Sequence, residues 1–301
     1  MNTISIATLV SPKNIGQTLL LFESLRRFGG RYANAPLIVL TPLHSGELTQ
    51  ESRQKLLGLD AALQVFDVPQ EMQQFPLAAV AYGAAFAEAQ SAAKGGVLVW
   101  MLPNTLVLNP PEPFELPDGV DFAYRPVHHT LVGSLYGQPP DAFWAAIYKH
   151  CGVGEERLFP MQTCLRDHVI RPYFNAGLLV VRPGLRLLRV WAEQFNKLAR
   201  HADFEPFYQK DQRYAIFMHQ AVLSAVLPAV LERRQMLELP ENMNYPLHLH
   251  AEYPAAHRPE RLDDLVTCRY ESFDDLRKAR IEMPASEAYK GWLEEKVEAW
   301  A

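Results

Sequence analysis

Asn104 and Thr105 are the first polar side chains after Pro103 interrupts the apolar run Val97-Leu98-Val99-Trp100. Proline cannot donate to a sheet ladder, so pairing is expected to stop there and the chain to turn out over the strand's carboxyl end. In open α/β sheets, ligands bind at that edge. The Asn104 amide could contact a ribose or phosphate, or simply cap the turn. Arg125, at the end of another apolar segment, carries a guanidinium able to pair with an anionic ligand; the plainer alternative is a surface ion pair. His248 and His250 stand at i and i+2, so in an extended segment both imidazoles share a face and could hold a transition metal or meet phosphate. A third ligand would have to come from His219 or His257. Solvated or hydrogen-bonded histidines are commoner, and no metal site is assigned. His128-His129 point to opposite faces if extended, so at most one enters a site and a packing or surface role is expected for both. Cys268 lacks a Cys-His-Asn arrangement and is not read as a nucleophile.

These residues need a frame. Val97–Trp100 lacks polar alternation, as a central strand covered on both faces does. Thr3–Val10, Leu37–Thr41 and Leu63–Val68 read as earlier strands. Between them lie a helix opening at Ser11-Pro12, with Ser11 as cap and Pro12 in its first turn, another over Thr49–Leu57, and the alanine-rich Pro76–Ala93. This alternation predicts an α/β fold, a mostly parallel sheet with helices on both faces. Further strands are expected at Val120–Arg125, Leu178–Val181 and Met236–Leu239, with extended pieces at Tyr245–His250 and Leu265–Tyr270. Helices are expected over Pro139–His150, Leu185–Leu198 and Ala215–Val230, and two more close the chain. Phe143, Trp144 and Tyr148 form a core-facing stripe, and Trp100 belongs to the core. No repeat or linker divides the chain. It reads as one domain, 1–301, with 271–301 a C-terminal helical appendage.

The bulk properties narrow the function. The 301 residues are 49% hydrophobic and 21% charged, ordinary for a globular protein. Net charge is -5 with no basic stripe, so nucleic acid is set aside as a partner. Three cysteines without C-x-x-C spacing argue against a disulfide framework or structural zinc and favour a cytoplasmic location. No signal peptide or transmembrane segment is expected; an oligomer is allowed. Strand one is followed by Leu9-Val10-Ser11-Pro12 rather than G-x-G-x-x-G, and no G-x-x-x-x-G-K-[ST] occurs, which disfavours dinucleotide-binding dehydrogenases and P-loop enzymes.

Val97–Leu108 has the form v-l-w-l-D-x-D-t-l-v-l, with Leu102-Pro103-Asn104 at the D-x-D. Phe174-Asn175-Ala176-Gly177 matches F-N-A-G before a strand, His219-Gln220 part of a helix-opening D-Q, and Leu239–Tyr245 an L-P-x-x-x-N-Y turn. In this order the motifs resemble the GT-A nucleotide-sugar glycosyltransferases, particularly the glycogenin-like and lipopolysaccharide-transferase branch, over roughly Thr3 to Tyr270. The resemblance implies a three-layer α/β/α fold with a mostly parallel mixed sheet, binding a nucleotide-diphosphate sugar and an unknown acceptor. It implies nucleotide contacts near Thr8 and Val10, joined by Asn104 and Arg125. It also implies a sugar or acceptor pocket at Asn175, Ala176, Gly177, His219 and Gln220, to which His248 and His250 are added. The D-x-D of that family holds a divalent cation through two carboxylates. Leu102 cannot ligate one, Asn104 is a poor substitute, His219 replaces the acid of D-Q, and Val266–Tyr270 carries a cysteine where a late histidine ligand is expected. Transfer without Mn²⁺ or Mg²⁺ is therefore expected, with no catalytic base assigned. The alternative is an inactive sugar-binding or scaffold protein that retains the fold.

Overall fold

A computed structural model of the chain describes residues 3–300, with side chains described through residue 297. The chain begins β1 (Ile4–Leu9), α1 (Ile15–Phe28), β2 (Leu37–Pro42), α2 (Gln50–Gly58), β3 (Ala61–Phe66), α3 (Ala78–Ala92) and β4 (Val97–Met101). It continues through β5 (Thr105–Val107), β6 (Phe122–Pro126), α4 (Ala142–Cys151), β7 (Met161–Gln162), β8 (Val169–Ile170) and β9 (Phe174–Val181). Next come α5 (Leu187–Leu198), α6 (Glu205–Lys210), α7 (Gln212–Val230) and β10 (Met236–Glu238). The last elements are β11 (Tyr245–Pro246), β12 (Thr267–Arg269), α8 (Phe273–Glu282) and α9 (Glu287–Trp300).

Seven strands form the main sheet in the order β10-β6-β9-β4-β1-β2-β3. Among the described residues β9 alone in that sheet runs against its neighbours, β4 and β6. The strands alternate between two apolar layers. Leu98 and Trp100 pack with α3, α4, α5 and α7, while Val97, Val99 and Met101 pack with α1 and α2. Small residues let α3 lie close: a Cβ on Gly83 would come within 2.8 Å of Leu9 and 3.0 Å of Trp100. Phe143, Trp144 and Tyr148 are buried in the first layer, as their spacing predicts.

A smaller sheet, β11-β12-β5, lies past the Pro103 break and carries a third apolar cluster with α8 and α9. Residues 271–297 are thereby packed against α1 and β5, with Phe28 meeting Tyr289 and Trp292 at centroid distances of 4.6 and 5.1 Å. α7 is the one described helix long and apolar enough to cross a membrane; here it packs on α4, α5 and β9.

Three local expectations are corrected. α1 starts at Ile15, not Pro12, because the Ser11 N–H donates to Asn14 Oδ1 (2.6 Å) and closes a turn first. Phe174-Asn175-Ala176-Gly177 is the first half of β9, not a turn before it. His248 and His250 lie on a 3₁₀ turn, Leu247–Glu252, not in an extended segment.

Candidate functional site

A cavity of about 400 Å³ opens beyond the carboxyl end of β4 and reaches Leu102. One wall follows from a mismatch in strand length. β4 pairs only with Leu178–Val181 of β9, leaving the preceding half without that partner. Buried backbone N–H groups must then be satisfied otherwise. α7 does this: Ser224 Oγ accepts from the Phe174 N–H (2.9 Å) and Gln220 Oε1 from the Ala176 N–H (3.0 Å). Asn175 Oδ1 accepts from the Gly177 N–H at 2.8 Å. Asn175, Ala176 and Gly177 thus border the cavity together with His219 and Gln220 of α7.

His219 is 3% exposed and its Nδ1 donates to the Ile216 carbonyl at 3.0 Å. Burial lowers its pKa to about 4, which keeps the ring neutral. His128 and His129 both reach the cavity, correcting the expectation that at most one would: the chain bends after β6 instead of staying extended. Burial, then the Arg269 charge and neighbouring His248, hold His128 well below the usual histidine range. The His128 and His248 rings lie 6.0 Å apart, and His248 Nδ1 is buried without a hydrogen-bond partner. Burial also lowers the His248 pKa, with Glu271 opposing.

The remaining predicted residues lie outside this cavity. His250 borders only a smaller pocket, which His248 also lines, and its Nδ1 is 2.9 Å from the Tyr245 hydroxyl. Thr8 and Val10 are fully buried, and Val10 N–H donates to the Leu40 carbonyl at 2.8 Å. Asn104 holds β12 to the turn: its Nδ2 donates to the Tyr270 carbonyl (2.8 Å) and its own carbonyl accepts from the Tyr270 N–H (3.2 Å). Arg125 is 3% exposed, not a surface residue. Its guanidinium is engaged by Glu238 (3.1 Å), the Leu239 carbonyl (2.7 Å) and Cys164 Sγ (3.5 Å), which leaves it to brace β6 and β10 rather than a ligand.

Sequence reasoning missed both charged residues of the cavity, Arg269 and Glu271, along with apolar lining such as Leu77 and Phe217. Cys268 packs in the third apolar cluster, so strand alternation sends Arg269 to the opposite face. The side chain is 13% exposed; Nη1 lies 3.4 Å from Asn175 Oδ1 and Nη2 3.5 Å from Glu271 Oε1. Alternation around Cys268 was the available signal.

A hard divalent cation takes several oxygen ligands, preferably carboxylates. Glu271 supplies the one carboxylate among the described cavity residues, Leu102 supplies nothing, a guanidinium is already present, and the imidazoles of His128, His129 and His248 do not gather with Glu271 into a three-ligand group. This donor set does not fit such an ion. Elsewhere among the described residues, His150, His201 and Asp203 bring potential ligand atoms within 4.8 Å of one another at the surface, outside the cavity.

A family profile described as the Rhodobacterales glycosyltransferase domain matches residues 11–230. No curated protein matches the chain. Among solved structures, the glycosyltransferase GlyE of Streptococcus pneumoniae TIGR4 is similar with a TM-score of 0.53 and 12% identity, covering 99% of this chain and 60% of its own. The galactosyltransferase LgtC, solved with donor and acceptor sugar analogues, gives 0.46 at 12% identity over 95% of this chain and 99% of its own. Core-mannan synthase A of Aspergillus fumigatus, in a Mn/GDP form, gives 0.47 at 11% identity over 79% and 73%.

Proposed function

The chain belongs to the Rhodobacterales glycosyltransferase domain family and has a GT-A fold, and from that premise we propose that it transfers a sugar from a nucleotide diphosphate donor to an acceptor hydroxyl without a divalent metal. The observation that carries the metal-free part is the cavity beyond β4, where Leu102, Arg269 and a lone carboxylate stand and a pair of acids does not. In this reading the donor lies against Asn175, Ala176 and Gly177. Of the predicted pocket residues, Gln220 positions that wall from α7 and His219 lines the cavity beside it, while His250 has no part in the cavity.

The reaction breaks the bond from sugar C1 to the diphosphate oxygen and forms one from C1 to the acceptor oxygen. The hydroxyl proton then needs a base. We assign that role to His248, which lines the cavity with a ring whose pKa burial lowers. Three free thiols accord with a reducing, cytoplasmic setting.

The test is turnover of a panel of uridine- and guanosine-diphosphate sugars in EDTA, with simple glycosides as acceptors. Release of nucleoside diphosphate that depends on acceptor supports the reading. Nucleotide-sugar binding without turnover of any donor would instead make the chain a binding protein, and absence of binding would remove the donor class altogether.

A further inference from the structure

We propose that Arg269 is the anion-binding residue of this cavity, its guanidinium supplying the positive charge that holds the donor's diphosphate and stabilises it as it leaves. This rests on the nucleotide-sugar reading and names the group that would make it work without metal.

Three independent features converge on that side chain. The first is delivery. Thr105 pairs with Arg269 across β5 and β12, and Asn104 makes two hydrogen bonds to Tyr270. The turn past β4 is therefore zipped to the strand that carries the guanidinium, and Leu102 N–H fixes the same turn to the Gly177 carbonyl at 2.9 Å.

The second is space. A Cβ at position 177 would lie 2.6 Å from Arg269 Nη1 and 3.2 Å from its Cζ. Glycine there lets the guanidinium and Asn175 Oδ1, 2.8 Å from the same Cβ position, come close to the β9 backbone. The third is incomplete satisfaction. The two hydrogen bonds that Arg269 makes are long, 3.4 Å to Asn175 and 3.5 Å to Glu271, and its Nε is buried without a partner. A largely buried guanidinium so weakly engaged can accept a doubly charged anion, for which its planar fork is suited. Arg125 shares an unpartnered Nε but differs in having both Nη atoms committed to protein partners, and it lies outside the cavity.

No covalent step is assigned to Arg269. It binds the diphosphate in the ground state and more strongly as charge accumulates on the departing oxygen.

The test uses the full chain in EDTA, titrated calorimetrically with UDP, GDP, inorganic pyrophosphate and the corresponding nucleosides. Relative to wild type, Arg269→Gln is expected to lose roughly tenfold to a hundredfold in affinity for the diphosphates, the size of a lost charge-assisted contact, with nucleoside affinity unchanged. Arg269→Lys should lose less, since it keeps the charge but not the fork. Arg269→Met, which keeps an apolar stem and removes the charge, should reproduce the loss and decides the matter if Arg269→Gln does not fold.

Wild-type diphosphate affinity in Arg269→Gln or Arg269→Met, or an equal loss for nucleosides, would overturn the proposal. Diphosphate binding by wild type only when Mn²⁺ is added would overturn it as well. Arg269-dependent pyrophosphate binding without any nucleotide binding would uphold the residue's role and sink the nucleotide-sugar reading; no binding of any probe would sink both.

Discussion

At the scale of single residues, side-chain chemistry was legible where the sequence placed it and illegible where direction mattered. Asn175 and Gly177 were found by motif, and both border the cavity. Arg125 and Arg269 each lie near the end of a short strand and differ in which face they occupy, for which alternation around Cys268 was the signal at Arg269. The bend after β6 carried His128 and His129 inward together for the same reason: facing depends on backbone geometry that residue types alone leave open. Histidines make sharp tests here. His219 is neutral when folded, with a pKa near 4 against about 6.5 when unfolded. The unfolded chain therefore binds more protons between those values, and this contribution is complete above about pH 6.5 and lost as pH falls toward 4. His219→Asn, which keeps a donor to Ile216, should flatten the fall in unfolding free energy over that window by up to about 3 kcal/mol, measured by urea titration at several pH values. His248→Gln should keep diphosphate affinity and lose turnover by roughly a hundredfold, as loss of a general base does. An equal loss of both would mean that His248 only shapes the wall.

At the scale of elements, most strands and helices followed from periodicity and breakers, and the errors cluster where tertiary contacts replace local ones. β9 is four residues longer than its apolar core predicts, because Ser224 and Gln220 of α7 accept the N–H groups that β4 cannot reach. A hydroxyl fifty residues away is invisible to a window of sequence. Ser224→Ala should cost about 1–3 kcal/mol by leaving the Phe174 N–H buried and unpaired, and should also weaken diphosphate binding through the shifted wall. Denaturant midpoints and titration calorimetry on the same variant check both halves. The closing helices were expected as an appendage, and they pack on Phe28 through Tyr289 and Trp292. Trp292→Ala should therefore cost about 3 kcal/mol, the usual price of deleting a buried tryptophan ring; a change under about 0.5 kcal/mol would show the helices to be marginal to stability.

At the scale of the whole molecule, alternating strands and helices predict the sheet's parallel half, and its reversal at β9 follows only once the chain has returned across β4. That reversal sets the cavity between the end of β4, the start of β9 and α7, with the smaller sheet closing the remaining side and bringing Arg269. Beyond the end of β4 the described cavity residues include an apolar side chain, Leu102, a guanidinium, Arg269, and one carboxylate, Glu271. The most direct measurement is a calorimetric titration of the full chain with UDP and GDP, in EDTA and again with added Mn²⁺. The account predicts a nucleoside diphosphate bound with the same affinity in both. Binding that appears, or strengthens tenfold or more, only with Mn²⁺ would contradict it.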